Sequence, residues 1–99
     1  MSDPASHAVA SALHARDPFT LVIFGATGDL THRKLIPALC SLHARGLLPN
    51  DYAIIGFARR SYTDESFRNW MADSIRRFAP RPLPEPAITD FLRHLYYHL

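Results

Sequence analysis

Residues 22–35 read VIFGATGDLTHRKL, and this stretch decides the fold of the chain. It starts within the apolar run FTLVIF of residues 19–24, whose β-branched and aromatic side chains predict a strand covered on both faces. Gly25 and Gly28 follow, and residues without a Cβ let a strand turn directly into a helix while a phosphate approaches the backbone. We therefore predict that the amides of residues 27–30 lie at a helix start and face an anion such as a pyrophosphate.

A helix is predicted after this turn, because apolar residues recur at spacings of three and four: Leu35, Ala38, Leu39 and Leu42. It should end near Arg45, since Gly46 follows. Pro37 lies inside the pattern and disfavours helix just before it, so we expect a short turn over residues 28–34 and then a kinked or restarted helix. The carboxylate of Asp29 is expected to cap the helix start.

A second apolar run, YAIIGF at residues 52–57, predicts another strand. Strand, helix and strand within some forty residues form a βαβ unit with parallel strands, so the fold class is α/β: a Rossmann-like parallel sheet with flanking helices, truncated to its N-terminal portion. Thr63 is the expected N-cap of a further helix with one apolar stripe: Phe67, Trp70, Met71, Ile75 and Phe78.

The proline-rich stretch of residues 79–86, APRPLPEP, predicts a connecting loop, and a helix should follow it. Residues 95–99, LYYHL, fit either a third strand or a continuation of that helix. Residues 1–18 are interpreted as a loose or helical leader without a secretory layout, and residues 19–99 as a partial Rossmann domain.

Composition restricts the function classes. With 99 residues, 47% hydrophobic and 20% charged, the chain fits one globular domain. Its net charge of +2 is too small for a nucleic-acid footprint. No apolar run approaches the roughly 20 residues of a spanning helix, so no membrane is expected. The single cysteine, Cys40, cannot form an internal disulfide and suits the cytoplasm.

The end of the second strand indicates which dinucleotide would bind. NAD-binding folds commonly place an acid there for the ribose 2′-hydroxyl, whereas NADP-binding folds place an arginine for the 2′-phosphate. Here the sequence reads GFARRS, with Arg59 and Arg60 in the place of the acid. A guanidinium holds a phosphate through two charge-assisted bonds, so NADP is favoured over NAD. The competing interpretation is that both arginines are solvated loop residues.

The runs GATGDLTHRKLIPAL, GLLP and IIGFARRSYT together resemble the amino-terminal coenzyme domain of glucose-6-phosphate dehydrogenases. The resemblance extends from about Phe19 to Phe78. It implies hydride transfer from C1 of glucose 6-phosphate to NADP in the pentose phosphate route. It also implies that the catalytic histidine, the substrate-phosphate residues and the oligomerisation domain of this family lie outside these 99 residues, so no catalytic residue is assigned and the chain alone is expected to be inactive.

The resemblance assigns two groups of binding residues. Lys34 corresponds to a family lysine that reaches the sugar-phosphate substrate, and Arg59, with Arg60 beside it, to the 2′-phosphate site. The coenzyme turn comprises Gly25, Ala26, Thr27, Gly28, Asp29 and Leu30. Two positions depart from the family pattern: Thr31 replaces a usual alanine, which could loosen helix packing, and His32 replaces a usual lysine or arginine.

Two other functions stay open from the residues alone. One is a stand-alone NADPH-binding or regulatory module without catalysis, and the other is the start of a sugar-nucleotide epimerase or reductase. His94 and His98 are four residues apart, but no third ligand accompanies them in the sequence, so no metal site is predicted.

Overall fold

The computed structural model describes residues 17–99, and they form a three-stranded parallel sheet with helices over one face. The strands are β1 (Phe19–Phe24), β2 (Tyr52–Phe57) and β3 (Leu95–His98). The helices are α1 (Ile36–Ala44), α2 (Asp64–Phe78) and α3 (Glu85–Leu92), and a π-helical turn, Thr31–Leu35, runs directly into α1. The predicted α/β class is confirmed, while nearly all of the predicted leader, residues 1–16, lies outside the described residues.

β2 lies in the centre of the sheet, between β1 and β3. Phe19 pairs with Tyr52 and Phe24 with Phe57, and Ile54 pairs with Leu95 on the other side. Of the residues left ambiguous by the sequence, Leu95–His98 form a third parallel strand. Because all three strands run the same way, the turn after β1 and the segment after β2 lie at the same edge of the sheet.

The core lies between one sheet face and the helices. Alternate strand residues point into it, including Ile23, Ile54 and Leu95, and α2 contributes Phe67 and Met71. The opposite face is not covered within residues 17–99: Val22, Phe24 and Tyr96 are 41%, 81% and 42% exposed. The prediction that β1 is covered on both faces is therefore wrong for this part of the chain, because α1, α2 and α3 all pack over one side.

Two prolines explain where the helices α1 and α3 begin. Pro37 lacks an N–H and cannot donate the hydrogen bond of a regular α-helix. The residues before it, Thr31–Leu35, form a wider turn, in which the Ile36 amide donates to the Thr31 carbonyl. The expected loop of residues 79–86 is shorter than predicted, because α3 already begins at Glu85 and holds Pro86 in its first turn, where proline is tolerated.

No helix among residues 17–99 has the length and apolarity required to cross a membrane.

Candidate coenzyme site

The turn after β1 is fastened to the end of β2. Gly25 adopts a left-handed backbone, with φ of 70°, which glycine reaches at little cost. The amides of Gly25 and Ala26 both donate to the carbonyl of Phe57, at 2.9 and 3.1 Å. Phe57 is the last residue of β2, and Arg59 follows two residues later. The two halves of the predicted site are thus joined through one carbonyl oxygen.

The turn leaves some of its amides available to a ligand. The amide of Gly28 donates to the Gly25 carbonyl at 2.9 Å, so the expectation that every amide of residues 27–30 faces an anion is wrong at this position. The amides of Thr27, Asp29 and Leu30 make no backbone hydrogen bond to another part of the described chain. Helical backbone begins at Asp29, so these donors lie at the positive end of a helix.

Asp29 does not cap the helix start as predicted. Its side chain is 81% exposed, and its carboxylate lies 3.1 Å from Nε2 of His32 and 3.7 Å from Nε of Arg33. The reason is its position: Asp29 already has helical backbone, whereas a capping side chain needs an extended residue before the helix. The negative charge next to the turn is therefore partly balanced by side chains of the following helical turn.

A glycine inside β2 allows the coenzyme turn to pack closely on this strand. Gly56 of β2 packs against the side chain of Ala26, which is fully buried. A Cβ on Gly56 would lie 2.7 Å from the Cβ of Ala26 and 3.2 Å from Cζ of Phe67. A glycine inside a strand often marks a close approach of backbone, but the sequence does not show which residue approaches.

The two residues that depart from the family pattern are both held in place. Thr31 is 5% exposed, and its hydroxyl lies 3.5 Å from the carbonyl of Gly25. The ring of His32 packs on Trp70, with centroids 5.1 Å apart, and its Nδ1 lies 3.3 Å from the hydroxyl of Ser74. His32 thus connects the π-helical turn before α1 to α2.

The predicted cationic residues are exposed and available. Arg59, Arg60 and Lys34 are all exposed, and none of them takes part in an ion pair among residues 17–99. The backbone carbonyl of Arg60 accepts a hydrogen bond from the Tyr97 hydroxyl, which holds the loop against β3. The next acid along the chain, Asp64, is already used, because its carboxylate accepts the amide of Tyr97 at 2.7 Å.

Residues 22–99 match the family model described as "Glucose-6-phosphate dehydrogenase, NAD binding domain". The chain belongs to the glucose-6-phosphate dehydrogenase family. Among curated relatives, the glucose-6-phosphate 1-dehydrogenase of Chlamydia pneumoniae is 47% identical over 81 residues, which cover 82% of this chain and 16% of the relative. That of Bacillus subtilis is 40% identical over 78 residues, covering 79% and 15%.

Solved structures of glucose-6-phosphate dehydrogenases share the fold. One, in complex with its substrate glucose-6-phosphate, is 32% identical with a TM-score of 0.69, and the match covers 81% of this chain and 16% of that one. The enzyme from Mycobacterium avium is 27% identical with a TM-score of 0.70, covering 86% and 18%. The chain thus spans about a sixth of the length of these glucose-6-phosphate dehydrogenases and corresponds to part of their pyridine-nucleotide-binding domain.

Proposed function

We propose that this chain binds NADP, with the pyrophosphate on the coenzyme turn Gly25 to Leu30 and the 2′-phosphate on Arg59, assisted by Arg60. The observation that carries the proposal is the pair of hydrogen bonds from Gly25 and Ala26 to Phe57. They hold the free amides of the turn beside the segment that carries both arginines. A dinucleotide needs such an arrangement, because one molecule must reach both groups.

The charges at this edge of the sheet favour NADP over NAD. A 2′-hydroxyl is best held by a free carboxylate, but Asp64 is engaged by the Tyr97 amide and Asp29 by His32 and Arg33. A 2′-phosphate needs cations without competing partners, and Arg59 and Arg60 fit that need. When bound, the nicotinamide supplies the hydride acceptor, while the residues of this chain bind and orient the coenzyme.

The test is calorimetric titration of the chain with NADP and NAD. The substitution Arg59→Ala should weaken NADP binding by about 1.5 to 3 kcal/mol, roughly 10- to 150-fold, because a charge-assisted pair to phosphate is lost. NAD binding should stay the same, because NAD has no 2′-phosphate. Arg81→Ala is the matched control, since Arg81 is exposed in the loop between α2 and α3. Equal losses for both coenzymes would contradict the assignment.

We further propose that the whole protein oxidises glucose 6-phosphate to 6-phosphogluconolactone with NADP, in the cytoplasm and as an oligomer. The support is the family membership and the glucose-6-phosphate complex of a structural relative. In this proposal Lys34 contacts the sugar phosphate, since it is exposed and lies just beyond the coenzyme turn. In the whole protein, Lys34→Ala should then weaken glucose 6-phosphate binding, measured as a rise in the KM for glucose 6-phosphate at saturating NADP. Arg45→Ala, which removes an exposed charge just after the other end of α1, should preserve it.

A further inference from the structure

A second cluster of polar side chains lies at the opposite edge of the sheet from the coenzyme turn. It joins His43 in the last turn of α1, Asp90 in α3 and His94 just before β3. One ring nitrogen of each histidine and one carboxylate oxygen lie within 4.8 Å of one another. Tyr52, the first residue of β2, supports the cluster with both its hydroxyl and its backbone carbonyl.

The hydrogen bonds of Tyr52 orient both histidine rings. Nδ1 of His94 lies 2.8 Å from the Tyr52 carbonyl, which can only accept, so this nitrogen carries the proton. In the neutral ring, Nε2 of His94 therefore keeps its lone pair. The imidazole also stacks on the Tyr52 ring, with centroids 3.9 Å apart and planes 8° from parallel. A histidine held in this way, with N–H on a carbonyl and the other nitrogen unprotonated, is a typical metal ligand.

The second histidine can present its Nε2 as well. Nδ1 of His43 lies 2.9 Å from the Tyr52 hydroxyl, and a hydroxyl both donates and accepts. Tyr52 can therefore hold either neutral tautomer of His43. In one tautomer Nε2 donates to the Asp90 carboxylate, 2.7 Å away. In the other the proton is on Nδ1, and both Nε2 of His43 and Oδ2 of Asp90 are free to bind a cation placed between them.

We propose that His43, Asp90 and His94 form a binding site for a divalent transition-metal ion of the zinc class. Two imidazoles and one carboxylate are a common protein ligand set for zinc, with water in the fourth position. Zinc bonds of about 2.1 Å place tetrahedral ligands about 3.4 Å apart, so the side chains need to move by about 1 Å. The carboxylate is half exposed, which leaves the ion a route from solvent. Arg93 lies 3.7 Å from the other Asp90 oxygen, so Oδ2 is the oxygen left for the metal.

Such an ion would join three elements that are distant in sequence. His43 and Asp90 are 47 residues apart, and their contact connects α1 to α3 across the amino end of β2. Because the site forms only in the folded chain, the melting temperature of the chain should rise with the concentration of free zinc. This readout does not depend on coenzyme binding, so the proposal stands or falls independently of the NADP site.

The experiment titrates the full 99-residue chain, without an affinity tag, with Zn²⁺ by calorimetry, and follows Co²⁺ binding by its visible absorption. His94→Asn keeps an amide N–H for the Tyr52 carbonyl but removes the metal-binding nitrogen. Asp90→Asn removes the carboxylate with little change of shape. His98→Asn is the control, because His98 lies at the far end of β3.

We expect the wild-type chain and His98→Asn to bind one equivalent of zinc and to show the same rise in melting temperature. His94→Asn and Asp90→Asn should bind at least about 100-fold more weakly, since even the loss of an outer-shell partner costs 10- to 100-fold. If the wild type binds no zinc stoichiometrically, or if His94→Asn binds zinc as tightly as the wild type, the proposal is wrong. A Co²⁺ spectrum that is unchanged in His94→Asn would equally overturn it.

Discussion

Two glycines of this chain adopt the same left-handed backbone in different places. Gly25, with φ of 70°, opens the coenzyme turn, and Gly46, with φ of 71°, ends α1. At Gly46 the reason is a C-terminal capping motif, in which the Gly46 amide donates to the His43 carbonyl and the Leu47 amide to the Leu42 carbonyl. An added Cβ would meet no atom within 4 Å at either glycine. The cost of replacing them is therefore conformational and not steric.

Gly25→Ala and Gly46→Ala should each lower the free energy of unfolding by about 1 kcal/mol, because a left-handed backbone is unfavourable for a residue with a Cβ. Urea unfolding of each variant measures the change in the free energy of unfolding. Gly25→Ala should also weaken NADP binding, because the added methyl group would occupy the open space beside the proposed pyrophosphate site. Gly46→Ala should bind NADP like the wild type, because Gly46 does not adjoin that site. If both variants bind NADP like the wild type, the turn does not hold the coenzyme.

At the scale of elements, the close packing of β2 against the coenzyme turn depends on the missing Cβ of Gly56. Gly56→Ala should destabilise the fold by about 1 to 3 kcal/mol, as overpacked cores do, because its methyl group would clash with Ala26. The double variant Gly56→Ala with Ala26→Gly should recover part of the loss, since it removes the clashing Cβ.

Urea unfolding of the two single variants and the double variant forms a thermodynamic cycle. Ala26→Gly alone should also be destabilising, because it removes a buried methyl group. Additive losses in the double variant would mean that the two positions do not interact, contrary to the 2.7 Å that would separate an added Gly56 Cβ from the Cβ of Ala26.

The sequence predicted most of the elements because their signals are local. Thr63 caps α2 as expected: its hydroxyl accepts the Ser66 amide at 3.0 Å, and the Ser66 hydroxyl accepts the Thr63 amide in return. The wide turn at Thr31–Leu35 was not predicted, because proline indicates a break without specifying which hydrogen bonds replace the missing one.

For the candidate site, the sequence indicated which residues to propose but not how they are connected. Glycines and arginines at strand ends follow a known pattern, whereas their connection through the Phe57 carbonyl depends on the register between β1 and β2. The cluster of His43, Asp90 and His94 was missed because its members come from different elements. No local pattern links them, and the pair considered in the sequence, His94 with His98, is separated along β3.

At the scale of the whole molecule, the core between the sheet and the helices contains two groups that lose protons at alkaline pH. Burial raises the pKa of the Cys40 thiol from 9.0 to about 12. Burial, with smaller contributions from Cys40 and Asp90, also raises the pKa of the Tyr52 hydroxyl above its usual range. Both groups therefore keep their protons in the folded chain at a pH where the unfolded chain has released them.

Stability should consequently fall as the pH rises above about 9, because the unfolded state then binds fewer protons than the folded state. The contribution is complete below pH 9 and is lost progressively toward the folded pKa of Cys40, about 12. Urea midpoints from neutral pH to about pH 11 measure the slope. Cys40→Ala should make it shallower, and an unchanged slope would show that the thiol does not contribute.

The order of the strands has a consequence for how this unit is made. Because β1, β2 and β3 lie side by side in the order in which they occur in the chain, each strand finds its pairing partner already synthesised. The sheet of residues 17–99 can therefore form one strand at a time during translation, and none of its three strands has to be inserted between two that are already paired. The coenzyme turn closes on Phe57 at the second of these steps, so the edge that we propose binds the nucleotide can take shape before β3 has been translated.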